Sequence, residues 1–216
     1  MISQNVKKRL ATSFFLIALI ILINISNFIL VYSLIILGVI SIIEFMNLLK
    51  KSLKSEFLKI CINSFFIFYI FSFCFLFLFF SNFLQLKVFL LTIVLVCAAS
   101  DIGGFIFGKF FKGPKLTKIS PNKTVAGSLG SIFLACLIMM LSIYFFTKNL
   151  NYSLILVAII TSIFCQIGDL FFSFLKRKAK LKDTGNFLPG HGGVLDRVDG
   201  ILLGVPIGFI SLVIIF

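Results

Sequence analysis

Seven long apolar runs dominate this 216-residue chain, at 10–25, 28–49, 60–80, 83–107, 127–147, 152–175 and 201–216. About 20 predominantly apolar residues let a helix cross the hydrocarbon of a bilayer, where a spanning segment must pair its own backbone groups. Runs of this length therefore predict membrane helices. Charge content agrees: only 12% of residues are charged and 60% are hydrophobic, whereas a soluble domain carries about a quarter charged residues. The expected fold is all-α: a polytopic integral membrane protein of about seven transmembrane helices, forming a single membrane domain over 1–216. Disorder, a collagenous repeat, a disulfide scaffold and a soluble nucleic-acid binder are excluded.

The first run follows Lys7, Lys8 and Arg9 and imitates a signal peptide. No small-residue cleavage site follows it and the second run begins at once, so it is read as a membrane helix. The fourth run is the least regular, because Asp101, Gly103 and Gly104 interrupt it. Cys61, Cys74, Cys97, Cys136 and Cys165 stand singly inside apolar runs without C-x-x-C spacing. They read as small core hydrophobes rather than metal ligands or disulfide partners.

The net charge of +13 is informative through its placement. With the N-terminus inside, the cytoplasmic segments hold Lys7, Lys8 and Arg9, then Lys50, Lys51, Lys54 and Lys59, then Lys109, Lys112, Lys115, Lys118 and Lys123. The last of them holds Lys176, Arg177, Lys178, Lys180, Lys182 and Arg197, which leaves only Lys87 and Lys148 of the 20 basic residues elsewhere. This is the positive-inside pattern, and it expects a multi-pass protein of the inner (cytoplasmic) membrane with its N-terminus in the cytoplasm. Among the acids, Glu44 and Glu56 lie in or near the first cytoplasmic loop, and Asp101, Asp169, Asp183, Asp196 and Asp199 come later, on or toward the same side. Residues 1–82 are accordingly read as helical scaffold without chemistry. Residues 83–216 are read as the catalytic part, with a cytoplasmic-side active site.

Asp169 lies in an apolar run seven residues before Lys176, roughly 10 Å deeper along a helix. An acid at the bilayer centre costs about 2.5–3.5 kcal/mol, and one part-way in faces a polar cavity or a cation. Simple pairing with a nearby lysine is the plainer alternative. Asp196 and Asp199 stand three apart, on one face of a helix, so three acids can converge on a divalent cation. Mg²⁺ suits such a set, since it combines one or two carboxylates with substrate phosphates and water. Segment 176–182 adds five cations, and the turn Pro189-Gly190-His191-Gly192-Gly193 can bring backbone N–H groups close to an anion. Taken singly, the charge run also reads as a solvated or headgroup-contacting face, and His191 as a structural or a direct participant.

The ordered whole is more specific. Gly168-Asp169-Leu170, Ser173-Phe174-Leu175-Lys176-Arg177, Lys182-Asp183-Thr184-Gly185 and Leu188-Pro189-Gly190-His191-Gly192-Gly193-Val194-Leu195-Asp196-Arg197-Val198-Asp199 closely resemble the signature of the phosphatidate cytidylyltransferase family, the CDP-diacylglycerol synthases. Upstream, Ser100-Asp101-Ile102-Gly103-Gly104 and Ile119-Ser120-Pro121-Asn122-Lys123-Thr124 are similar to that family's other recurring blocks. The resemblance covers about 100–200 specifically and the remainder only in apolar character. Where many members carry Glu, this chain has Ala126 and Phe172, and neither departure removes an aspartate of the set.

The resemblance implies transfer of a cytidylyl group from CTP to phosphatidic acid in phospholipid biosynthesis, giving CDP-diacylglycerol and pyrophosphate. On that reading Asp169, Asp196 and Asp199 hold Mg²⁺, with Asp101 a fourth candidate and room for a second cation. Lys123, Lys176, Arg177 and Arg197 contact phosphate, and Ser120 and Thr124 donate hydroxyls. His191, Gly192 and Gly193 line the substrate. Asp169, Asp196, Asp199, Arg197 and Lys176 form the catalytic set. Membrane lipid and CTP are the implied partners, with a homodimer suggested by the family and no nucleic acid. Two alternatives stand beside it. A CDP-alcohol phosphotransferase also clusters aspartates, although the continuation Ile201-Leu202-Leu203-Gly204 lacks that family's Ala-Arg pair. An ion-coupled transporter also carries intramembrane acids, but these should lie near the midplane in both halves.

The charge distribution predicts that the loops at Lys115 and Lys180 both face the cytoplasm. Single cysteines introduced there in a cysteine-free background should resist an impermeant reagent applied to intact cells; ready labelling of either one overturns the orientation.

Overall fold

A computed structural model of the chain describes residues 22, 26–117, 120, 123–149, 151–187 and 192–215. Over these residues the chain forms six long α-helices: α1 (Asn27–Ser52), α2 (Glu56–Ser81), α3 (Leu84–Phe111), α4 (Val125–Thr147), α5 (Ser153–Lys178) and α6 (Leu195–Ile215). Each is long and apolar enough to cross a membrane, and the protein is a multi-pass helical membrane protein. The expected helix at 10–25 lies outside the described residues except for Leu22. Each of the other six apolar runs forms a helix.

The helices overrun the apolar stretches that announce them. α5 continues to Lys178 and takes Lys176, Arg177 and Lys178 into its last turn, where cations complement the negative end of the helix dipole. α6 begins at Leu195, so Asp196 and Asp199 lie within the helix rather than ahead of it. Hydropathy marks the hydrocarbon-compatible part of a helix, while backbone pairing continues into the polar interface. α3 likewise runs unbroken through Asp101, Gly103 and Gly104 to Phe111, where the sequence suggested an interruption. Glycine in a helix costs about 1 kcal/mol relative to alanine, and here the absence of side chains lets a second helix come close.

Residues 1–82 and 175–198 make one compact unit, and 83–174 with 199–216 a second. In the first, α1 lies on α2 through Phe45 and Phe66, whose rings stack with centroids 3.8 Å apart. Leu30, Leu34, Gly38, Ser41, Phe45, Leu48 and Leu49 form the buried stripe of α1, at the three-and-four spacing of one helix face. α2 turns Phe65, Phe68, Phe71 and Phe75 outward and exposed. An apolar surface of that size suits lipid rather than water. Ser55 caps α2, accepting from the Leu58 N–H at 3.5 Å.

In the second unit α3 and α4 meet through small residues, as closely packed membrane helices do. A Cβ on Gly103 would strike the Gly130 carbonyl oxygen, and one on Gly127 would lie 2.8 Å from the Gly104 oxygen. α6 repeats the device against α5, where a Cβ on Gly200 would lie 2.6 Å from Cys165 Sγ. Cys97 and Cys165 are buried as expected, whereas Cys61 is exposed on α2, and all five cysteines are free. Polar side chains within this core are paired: Ser100 and Ser162 share a hydrogen bond of 2.8 Å, and Thr161 donates to the Val157 carbonyl at 2.7 Å.

The close crossing predicts that Gly103→Ala lowers stability by about 1–3 kcal/mol, because backbone rather than a movable side chain blocks the new methyl. Gly113→Ala should stay within about 0.5 kcal/mol, since its Cβ would be in ordinary contact with Ala126, 3.5 Å from its Cβ and 3.7 Å from its N. Thermal unfolding in detergent checks both; equal midpoints would overturn the packing argument.

Candidate active site

Two clusters of charged side chains lie among the apolar helices, one in each unit. In the first unit Asp196 stands in the first turn of α6. Its Oδ1 accepts from Lys176 Nζ at 2.7 Å, and its Oδ2 accepts from the Thr184 N–H at 2.8 Å and the Gly193 N–H at 3.1 Å, with the Thr184 hydroxyl oxygen, whose one hydrogen points to a nearer acceptor, 3.1 Å away. The two ionic side chains are 12% and 7% exposed, so this is a largely buried pair whose carboxylate has a donor on each oxygen. Gly192, with φ of +85°, makes the turn before it, a backbone conformation that favours glycine.

Beside this pair lies Glu44 of α1, which the sequence reading left in or near a loop and gave no task. It is buried within the helix, 5% exposed. Oε1 accepts from the Val194 N–H at 3.1 Å, and Oε2 from the Leu195 N–H and the Thr184 hydroxyl, both at 2.8 Å. Of the glycine-rich turn, the described Gly193 N–H meets an anion of the chain itself, Asp196, and the next two amides, of Val194 and Leu195, meet Glu44. The argument applied to Asp169, a carboxylate inside an apolar run, also applied to Glu44; its membership of a scaffold segment hid it.

In the second unit Lys123 forms an ion pair with Asp169 Oδ2, and Ser173 donates to Asp169 Oδ1 at 3.4 Å. Lys123 is held by a short loop that doubles back: the Leu116 N–H donates to the Lys123 carbonyl at 2.8 Å and the Val125 N–H to that of Pro114 at 3.0 Å. Thr124 caps α4, its hydroxyl oxygen accepting from the Gly127 N–H at 3.1 Å, which leaves the hydroxyl hydrogen for another acceptor. Ser120 lies in the same loop, its N–H donating to Thr117 Oγ1 at 3.3 Å. Asp199 is buried in α6, where its Oδ1 accepts from the Gly200 N–H at 2.9 Å. Asp101 is exposed on α3, with the Cys165 thiol 3.7 Å from its Oδ1.

Of the expected site residues, the structure joins Lys176, Asp196 and Gly193 in one cluster and Lys123 with Asp169 in the other. Arg177 and Arg197 are exposed at the ends of their helices. His191 lies outside the described residues. Within neither unit do the described residues bring three His, Cys, Asp or Glu side chains together in a metal-binding group. Phe172, at a departure from the resembled pattern, is a buried core residue.

Removing one partner of a buried ion pair costs about 3–5 kcal/mol, against less than about 1 kcal/mol for an exposed pair. Lys176→Met should therefore destabilise the protein by about 3 kcal/mol, and Lys59→Met, which breaks the pair with the 80%-exposed Glu56, by no more than about 0.5 kcal/mol. Denaturation midpoints of the two purified variants check the ranking, and equal losses would overturn it.

Compared with known families, residues 1–215 match the cytidylyltransferase family. Among curated proteins, one named phosphatidate cytidylyltransferase from Staphylococcus haemolyticus (strain JCSC1435) is 44% identical over 115 residues, covering 52% of this chain and 44% of the relative. A protein of the same name from Staphylococcus aureus (strain COL) is 41% identical over 115 residues, with the same coverage. One from Rickettsia felis (strain ATCC VR-1525 / URRWXCal2) is 43% identical over 117 residues, covering 50% of this chain and 52% of the relative. The matched stretch thus spans about half the length of each of these relatives.

Proposed function

Because the chain belongs to the cytidylyltransferase family, we propose that it transfers the cytidylyl group of CTP to phosphatidic acid, yielding CDP-diacylglycerol and pyrophosphate. The named relatives support the substrate pair. The observation that carries the reading is that carboxylates and lysine ammonium groups occur in matched pairs, Lys176 with Asp196 and Lys123 with Asp169, at positions that a purely apolar bundle would leave empty of charge.

The chemistry asks for little else. A phosphate monoester, with a second pKa near about 6, is largely dianionic at neutral pH, so phosphatidic acid needs no serine triad or strong base to attack. Its oxygen bonds to the α-phosphorus of CTP while the bond from that phosphorus to the β-phosphate oxygen breaks, and the electron pair leaves with pyrophosphate. The obstacle is to bring one anion onto another, and such transfers are catalysed mainly by positioning and charge neutralisation. Lys123, Lys176, Arg177 and Arg197 would supply cations to the phosphates, with hydroxyl donors from Ser120 and Thr124. Arg197 offers a planar fork suited to bidentate phosphate contact.

Carboxylate oxygens are the donor type that Mg²⁺ selects, so Asp169, Asp196 and Asp199, with Asp101, fit such an ion by chemistry. They would hold it and any second cation. When bound, the metal supplies further neutralisation of phosphate charge. Until substrate arrives, the lysines that face Asp169 and Asp196 keep those carboxylates from being unpaired. The basic-residue pattern supports a cytoplasmic site at the inner membrane, where CTP is dissolved and phosphatidic acid presents its headgroup.

Purified protein given labelled CTP, phosphatidic acid and Mg²⁺ should produce chloroform-soluble label, and label that never enters lipid would overturn the reading. Asp196→Asn and Asp199→Asn should each lower turnover at least about 100-fold while the protein still inserts and purifies. Arg197→Ala should lose far more activity than Lys54→Ala, which alters only an interhelical loop. Wild-type turnover with unchanged Mg²⁺ dependence in both Asn variants would remove the proposed metal site.

A further inference from the structure

Glu44 sits two turns inside α1, buried, with Phe45 and Leu48 of the same helix buried around it. A carboxylate in such a place is expensive unless it is met by donors. Among the described residues it forms no ion pair with lysine or arginine. Its three donors come from the stretch between α5 and α6 and the first residue of α6: the Thr184 hydroxyl, the Val194 N–H and the Leu195 N–H. Each oxygen faces a backbone N–H, a group that can only donate.

Those donors lead to one place. Leu195 is the first residue of α6 and Asp196 the next, so Glu44 fixes the helix start that carries Asp196, where a negative charge also complements the helix dipole. Thr184 stands between the two acids, its hydroxyl 2.8 Å from Glu44 Oε2 and 3.1 Å from Asp196 Oδ2, while its own N–H donates to Asp196 Oδ2 at 2.8 Å. The flanking glycines leave room for this seat. A Cβ on Gly193 would strike Thr184 Oγ1 and lie 2.5 Å from Glu44 Oε2, and one on Gly185 would strike Glu44 Oε1.

We infer that Glu44 is a positioning residue for the transfer reaction: through Thr184 and the first amides of α6 it sets the orientation of Asp196 without itself touching substrate. This rests on the cytidylyl-transfer reading above. Glu44→Gln keeps the shape of the side chain but turns an NH₂ group toward an N–H donor whichever way the amide is flipped. The seat then loses at least one hydrogen bond and Asp196 is left less tightly oriented. A misplacement of about 1 Å in such a group can cost on the order of 100-fold in rate.

The test uses the full-length protein in detergent with phosphatidic acid, labelled CTP and Mg²⁺. Glu44→Gln should lower kcat about 10–100-fold with KM for CTP changed less than about 2-fold, because a positioning defect falls on the reacting arrangement rather than on binding. Thr184→Val should lose activity in the same way, Thr184→Ser should recover it, and the Glu44→Gln/Thr184→Val double variant should lose no more than Glu44→Gln alone, since groups acting through one chain are non-additive. Glu56→Gln should keep wild-type kcat. As a readout independent of turnover, amide hydrogen exchange in Glu44→Gln should accelerate within 184–195 and not within α2.

Label absent from lipid with the wild-type protein overturns the transfer reading and this inference with it. Label present in the wild type, with full kcat in folded Glu44→Gln, overturns this inference alone. So does multiplicative loss in the double variant, or a fall in thermal stability with kcat per folded molecule unchanged.

Discussion

In hydrocarbon a polar group has no water to fall back on, and every donor or acceptor must find its partner within the protein. The backbone meets that demand by forming helices, which is why each of the six described apolar stretches forms one. Most side chains meet it locally, Asn63 Oδ1 of α2 being a buried exception. Thr92 and Thr161 donate to carbonyls one turn back, at 2.9 and 2.7 Å, and Gln166 ties Ser128 of α4 to Ser162 of its own helix. The same demand makes carboxylates rare and confines each to a place where its donors are assured.

The chain solves the carboxylate problem in two ways. Asp169 and Asp196 each take a lysine as ion-pair partner. Glu44 takes two backbone amides and a hydroxyl instead. Backbone amides cannot swing away as an ammonium can, so this second arrangement holds a loop in place rather than keeping a cation in readiness. Asp196 shares features of both, with Lys176 on one oxygen and the Thr184 and Gly193 donors on the other.

Much of this was legible in the residues. The apolar runs announced the helices, although the last of them starts six residues earlier than its run and so takes in Asp196 and Asp199. The glycine-rich turn was recognised as an anion-facing device. What was not legible was which anion it faces, because Glu44 and Gly193 are separated by 149 positions in sequence and no local pattern links them. Asp101 with Gly103 and Gly104 read as an interruption of a helix, since glycine alone carries no sign of whether a bend or a close neighbour is its reason. The neighbour, Gly130 of α4, supplies the reason.

By itself the sequence determined the class of solvent, the helical character, the clustering of basic residues between apolar runs and the set of residue types fit for phosphate chemistry, because these depend on composition and short-range spacing. Only the tertiary structure decided the pairings: Lys176 with Asp196, Lys123 with Asp169, and Glu44 with the start of α6. Each is a contact of a few ångströms between residues from 20 to 151 positions apart. The energy of such a contact depends on distance and burial, quantities that come into being only when the helices pack.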